Sequence, residues 1–387
     1  IVAVTKERDG VDPTPLRVSQ DELDQALAGL EPDLRAAIEE AVDRVRKVSQ
    51  ATLPAPVTVE LAQGAKVHQR WQPVDSVGLY VPGGKAVYPS SVIMNVVPAQ
   101  VAGVARLAIA SPAQKDFGGR PHPTVLAVAA LLGVTEVYAM GGPAAIAAFA
   151  YGLPQIDMPP VQLVTGPGNI YVAAAKRSLR GQIGIDSEAG TTEILVLADS
   201  SADPRLIAYD LVSQAEHDEA AASVLVTDSL ELAQRVLVEL ASVAVSTNHS
   251  ARVQTALAGQ QSAVVVVANW DEAIRFANEY ATEHLEIHSI DDSATLARIT
   301  NAGAIFLGKY SPVSLGDYLA GSSHVLPTGQ QAKFSSGLGV HTFLRPQQII
   351  EYNRAGLEPI AKLIEDFSVA EGLPAHGEAI SARFDNK

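Results

Sequence analysis

The stretch VQLVTGPGNIYVAAAKRSL, residues 161–179, decides the fold class. A short apolar run ends at Thr165, meets Gly166-Pro167-Gly168-Asn169, and gives way to a helical pattern from Ile170. Strand, tight turn and helix in immediate succession make one βα unit. The succession recurs on both sides. Upstream, 76–81 reads as a strand closed by Pro82-Gly83-Gly84, 107–110 as a second strand, 124–132 as a helix, 136–140 as a strand and 143–151 as a helix. Downstream, 194–197, 223–228 and 263–267 read as strands, with helices over 203–217, 230–240 and 272–280. Such alternation predicts an α/β protein of two Rossmann-like parallel-sheet domains. Leu23, Ala26, Leu27 and Leu30, then Leu34, Ile38, Val42 and Val45, recur at helical spacing and predict a helical N-terminal segment, split at Pro32. Residues 303–344 are loop-rich, and long loops in compact chains often carry function. Residues 346–366 read as helical, ahead of a tail with Glu371 and His376.

Composition narrows the function classes. The 387 residues are 47% hydrophobic and 18% charged, which suits a large core and not a disordered chain. A formal net charge of −15 argues against a nucleic-acid backbone or an anionic membrane as the main partner. The most apolar stretch, 137–154, contains Gly141-Gly142-Pro143 and reads as strand, turn and helix rather than a membrane span. A cytoplasmic protein is expected, with no signal segment at the start. The chain begins at Ile1, and its natural beginning is expected to lie upstream. There is no cysteine. A metal site must therefore use imidazole, carboxylate and amide, and a carbonyl must be oxidised without a thiol nucleophile.

Four of the nine histidines sit in polar motifs. Gln214 and His217 lie three apart near a predicted helix end, on one face, where they could ligate a metal or simply form a polar helix terminus favoured by the dipole. Glu283-His284 could divide proton-transfer labour or form an exposed turn between helix and strand. Asp317 and His324 share a glycine-containing loop, where they could face one site or serve the turn. Glu371 and His376 matter only if the tail docks, for instance on a neighbouring subunit. The Gly166–Asn169 turn suits a phosphate at a helix N-terminus, or is a plain tight turn. His68, His122, His249, His288 and His341 show no ligand spacing and read as surface or packed residues.

Taken in order, VGLYVPGG, TGPGNIYV, GIDSEAGTTEI, DLVSQAEHD, YATEHLEI, SPVSLGDYLAGSSHVLPT and PAHGEA resemble the histidinol dehydrogenase family, with the look of an actinobacterial-type member. The resemblance runs from about Val77 to the C-terminus and implies much more than spacing does. It implies a homodimer with shared active sites, one zinc per subunit, NAD as oxidant, and four-electron oxidation of L-histidinol to L-histidine through bound L-histidinal. Matched motif by motif, the zinc ligands fall on Gln214, His217, Asp317 and His376, the last from the partner subunit of the dimer. The acid–base pair falls on Glu283 and His284, with His324 as a further active-site histidine. Substrate contacts fall on Ser90, Thr192 and Glu371, besides Gln214, His217, His284, Asp317, His324 and His376. Dinucleotide contacts fall on Tyr80, Ala144 and Asn169. Three departures from the family pattern stand out: Ala144 where Gln is frequent, Ser323 where Asn is usual, and the pair Thr191-Thr192 where many members have Pro-Ser. The expected organisation is a first α/β domain at 1–76 and 190–345, an inserted dinucleotide-binding domain at 77–189, and a helical C-terminal tail at 346–387 exchanged across the dimer. The alternative is an NAD-dependent dehydrogenase of another small polar alcohol, such as a hydroxy-sulfonate; a zinc hydrolase and an inactive scaffold are more distant readings.

Overall fold

The computed structural model describes residues 1–83, 87–188 and 190–384. Gly84 of the expected Pro82-Gly83-Gly84 turn lies outside them, as do Ala189 and Lys387, which bound two of the expected domains. Contacts group the chain into two units, one of Ile1–Thr52 with Val74–Phe343, the other of Leu53–Pro73 with Leu344–Lys387.

The smaller unit holds an antiparallel sheet of β1 (Val57–Ala62), β2 (Ala65–Pro73) and β13 (Leu344–Tyr352), in the order β1-β2-β13. This corrects the helix expected over 346–366. Its first part is β13, and the longer helix starts at Ala361, running to Ala370 ahead of a last helix Pro374–Ser381. Pro346 is tolerated in β13 because that strand lies at the sheet edge, where a missing N–H costs no ladder bond.

The larger unit opens with helices Val2–Arg8, Gln20–Ala28 and Pro32–Ala51. Ser19 and Glu22 form a capping box that starts the second, and Pro32 occupies the first turn of the third. Two parallel sheets follow. The first comprises β3 (Ser76–Tyr80), β4 (Arg106–Ser111), β5 (Glu136–Ala139), β6 (Leu163–Thr165) and β7 (Gly184–Ile185), in the order β5-β4-β3-β6-β7. The second comprises β8 (Glu193–Ala198), β9 (Ala222–Thr227), β10 (Ala263–Val266), β11 (His284–His288) and β12 (Ala304–Leu307), in the order β10-β9-β8-β11-β12. Renumbered within each sheet, both orders read 3-2-1-4-5. The winding therefore reverses between β3 and β6, and again between β8 and β11, as in doubly wound folds.

Burial explains the unbroken apolar strands. In β8, Ile194, Val196 and Ala198 pack on one face against Ile207 and Leu211, while Leu195 and Leu197 pack on the other against Val224, Val226 and Leu285. A parallel sheet covered on both sides needs no polar alternation. β11 differs. Leu285 and Ile287 join one apolar layer, so period-two geometry turns His284, Glu286 and His288 to the opposite face. Among the described residues no helix is long and apolar enough to cross a membrane.

Candidate active site

The carboxyl ends of the first sheet gather the three expected dinucleotide contacts. Tyr80 ends β3, Ala144 sits in the first turn of helix Gly142–Tyr151 after β5, and Asn169 caps helix Ile170–Leu179 after β6. Asn169 Oδ1 accepts from Tyr171 N and Val172 N at 3.1 and 3.2 Å. The Tyr80 ring is buried, and its hydroxyl accepts from Gly142 N at 3.1 Å. Gly166 has φ +110°, and a Cβ there would lie 2.0 Å from Tyr80 O, so glycine is required where β6 leaves the sheet. The turn is pinned from below. Lys176 Nζ donates to Gly166 O and to Asp186 Oδ1, both at 2.6 Å, and Gly166 N donates to Asp186 Oδ2 at 2.8 Å. This Lys176–Asp186 pair is buried and was not legible as a site feature. Helices Gly142–Tyr151 and Ile170–Leu179 both start at this end of the sheet, the end at which helix N-termini favour an anionic ligand.

The second sheet places its polar groups at the other end, where β8 and β11 begin. Glu283 and His284 are buried, at 6% and 4% exposure, and not in an exposed turn. Glu283 Oε2 accepts from Thr192 Oγ1 at 2.5 Å and from Glu193 N at 2.9 Å. Thr192 Oγ1 in turn accepts from Gln214 Nε2 at 2.6 Å. The Gln214 side chain is buried near the end of helix Pro204–Ala215, and its Oε1 has no partner among the described residues. His217 follows that helix. Its Nδ1 lies 3.2 Å from Ser213 O and from Gln214 O, which assigns the proton to Nδ1 and turns Nε2 toward Asp317 Oδ2 at 3.9 Å. Asp317 comes from helix Val313–Tyr318. His324 Nδ1 lies 3.1 Å from Asp317 O, and His324 Nε2 lies 3.2 Å from Ser91 Oγ. Ser90 and its neighbour Ser91 open helix Pro89–Ala102; Ser90, His217 and Asp317 line a cavity of about 590 Å3 with Leu34, Ile38 and Tyr318.

Sequence reasoning thus found Gln214, His217, Glu283, His284, Asp317, His324, Ser90 and Thr192, and the fold brings them to one region. It missed Ser91, whose clue was the paired serine at a helix start, and Glu193, discussed below. It also missed Asp210, Glu286 and His288, whose potential ligand atoms all lie within 4.8 Å of one another. Their clue was the alternation His-Leu-Glu-Ile-His in β11. Glu286 Oε1 accepts from Val313 N at 2.8 Å and Glu286 Oε2 lies 3.3 Å from His288 Nε2, so this group anchors the helix that carries Asp317. Glu371 and His376 belong to the smaller unit, where they line an apolar groove with Leu363, Ile364 and Phe367.

Electrostatics separate the groups further. Burial pushes the Glu283 carboxyl up to about 7, against the hydrogen bond from Thr192. Burial and then the Glu283 charge push Glu193 up to about 7. Burial lowers His284 and His324, which favours neutral imidazoles able to accept a proton. Burial and the Glu286 charge raise Asp210.

The donor set suits a zinc ion. Gln214 Oε1 is an orphaned buried acceptor, and His217 Nε2 and Asp317 Oδ2 stand apart by a distance that a shared cation would bridge.

Comparison with known proteins agrees. The family model described as histidinol dehydrogenase matches residues 1–384. The histidinol dehydrogenase of Leifsonia xyli subsp. xyli is 59% identical over 379 residues, covering 98% of this chain and 87% of that protein. The enzyme of that name from Mycolicibacterium smegmatis is 56% identical over 380 residues, covering 97% and 85%. The crystal structure of histidinol dehydrogenase from Elizabethkingia anophelis superposes with a TM-score of 0.94 at 32% identity, covering 99% of this chain and 87% of that one. Neither the hydroxy-sulfonate reading nor the hydrolase reading gains support. From its first helix to its last, this chain belongs to the histidinol dehydrogenase family.

Proposed function

We propose that the cluster at the amino ends of β8 and β11 is where this chain oxidises L-histidinol to L-histidine in histidine biosynthesis, in two steps that retain L-histidinal between them. The observation that carries the reading is the buried, unpartnered Gln214 Oε1 joined through Thr192 to Glu283, beside His217 and Asp317. Gln214, His217 and Asp317 would hold zinc, with His376 supplied by the second subunit of a homodimer. Zinc, when bound, supplies Lewis acidity and a fixed orientation for the substrate imidazole and amine. NAD, when bound at the carboxyl ends of the first sheet, accepts hydride.

The chain's own groups handle protons. His284 Nδ1 lies 3.2 Å from Glu193 O, which fixes the ring and leaves Nε2 as the base for the alcohol proton. Glu283, raised to about 7, is poised to take a proton from the water that adds to the aldehyde. Ser90 and Thr192 bind substrate polar groups, His324 lines the site, and Glu371 of the second subunit receives the substrate amine. Tyr80, Ala144 and Asn169 border the dinucleotide.

Stoichiometry tests this. With limiting L-histidinol, about two NADH should form per substrate, with loss on chelation and recovery on zinc addition. One NADH per substrate would indicate a simple alcohol dehydrogenase. None from folded, zinc-loaded protein would overturn the assignment.

A further inference from the structure

Glu193 touches both members of the Glu283–His284 pair and also the segment that follows His324. Its N–H donates to Glu283 Oε2 at 2.9 Å, and its carbonyl lies 3.2 Å from His284 Nδ1. Its own Oε1 accepts from Glu283 N at 3.3 Å and from Gly329 N at 3.1 Å. Gly329 follows Thr328, whose Oγ1 accepts from Gly190 N at 2.6 Å, so the 324–329 segment is tied back at two points to the approach of β8. The two strands are in parallel register, His284 beside Ile194, which sets Glu193 and Glu283 side by side just where the ladder starts. Each residue's carboxylate accepts the other's backbone N–H. We propose that Glu193 is a positioning residue, holding Glu283 and the His324 segment in working geometry through this reciprocal pair of hydrogen bonds.

A purely structural explanation would be a half-buried carboxylate satisfying two N–H groups. It does not account for the choice of an acid at a place already occupied by another acid, where burial disfavours both charges. An amide would satisfy the same donors. A carboxyl adds a titratable neighbour. The groups facing Glu283 are Glu193, His284, His217 and Asp317; those facing Glu193 are Glu283, His284 and Tyr280.

This proposal rests on Glu283 being the base, so the test measures both residues in zinc-loaded enzyme. Glu193→Gln keeps the acceptor oxygen and should retain most of kcat. Glu193→Ala loses the acceptor and should cut kcat by roughly tenfold to a hundredfold with a smaller change in KM. A Glu193→Ala enzyme that folds and keeps wild-type kcat overturns the proposal. If that variant does not fold, wild-type kcat in Glu193→Asp, whose shorter side chain draws the acceptor away from both N–H groups, overturns it instead. Glu283→Gln is the control. Wild-type kcat in that variant overturns the base assignment itself, whereas a disabled Glu283→Gln beside unaffected Glu193 variants overturns the positioning role alone.

Discussion

The two parallel sheets share one strand order and use opposite ends of it. In the first, the turns leaving β3, β5 and β6 collect Tyr80, Ala144 and Asn169 around a glycine at φ +110°. In the second, Glu193, Glu283 and His284 gather where β8 and β11 begin. Doubly wound sheets ordinarily bind ligands beyond their carboxyl ends, where the winding reverses and helix N-termini point at the ligand. On the proposed reading the first sheet follows that rule, because backbone N–H groups are what a dinucleotide needs. The second departs from it on the same reading, because the proposed chemistry is carried by side chains, and side chains can be planted on any rigid strand end that is buried enough to shift their protonation. Winding supplies a frame; residues decide which end works.

The sharpest way to break this division of labour is to disable one sheet and measure both functions. His284→Gln removes the proposed base at the start of β11, and kcat should fall by roughly 10²–10⁴. Dinucleotide binding, read by NADH fluorescence, should be unchanged. A parallel loss of NADH affinity would mean that the two ends are not separate. The pH dependence carries the same message. Glu283 must be ionised to accept a proton, and its carboxyl is raised to about 7, so oxidation of L-histidinal should weaken as pH falls through that range. NADH binding should stay level there.

The mirror experiment targets the first sheet. Lys176→Met removes one partner of the buried pair that clamps Gly166, leaving the Asp186 carboxylate enclosed without its cation. Breaking such a pair costs about 3–5 kcal/mol, visible in denaturant unfolding. The Gly166–Asn169 turn should loosen and NADH affinity should drop. In whatever protein remains folded, the proton chemistry of Glu283 should be intact, seen as an unshifted acid limb of kcat at saturating NAD.

How much of this was readable beforehand follows from where the forces act. The βα units were legible because strand, glycine turn and helix are local patterns, and Asn169 caps its helix from within the same motif. The smaller sheet was not, because Leu344–Tyr352 carries no clean alternation: Ile349 and Ile350 are adjacent and both exposed. Most of the active-site residues came through family motifs. The geometry joining them did not, since Thr192 meets Glu283 across 91 positions and Ser91 meets His324 across 233. Glu193 escaped notice for a different reason. It reads as the polar first residue of an apolar strand, and its role exists only through the neighbouring strand that parallel pairing brings alongside.

The smallest expected effect sharpens the first sheet further. Ala144 stands in the first turn of helix Gly142–Tyr151, beside the Gly142 N–H that donates to the Tyr80 hydroxyl. The family resemblance places a dinucleotide contact at this position, and an alanine side chain has no hydrogen-bonding group to make one. Supplying an amide with Ala144→Gln should strengthen NADH binding by about 0.5–1.5 kcal/mol, the usual net worth of one such bond. The site is partly exposed and lies at a helix start, so stability should hardly change. With the proton work proposed for the second sheet, kcat at saturating NAD should stay put while KM for NAD falls. A rise in kcat without tighter binding would place residue 144 nearer the chemistry than the carboxyl end of β5 allows.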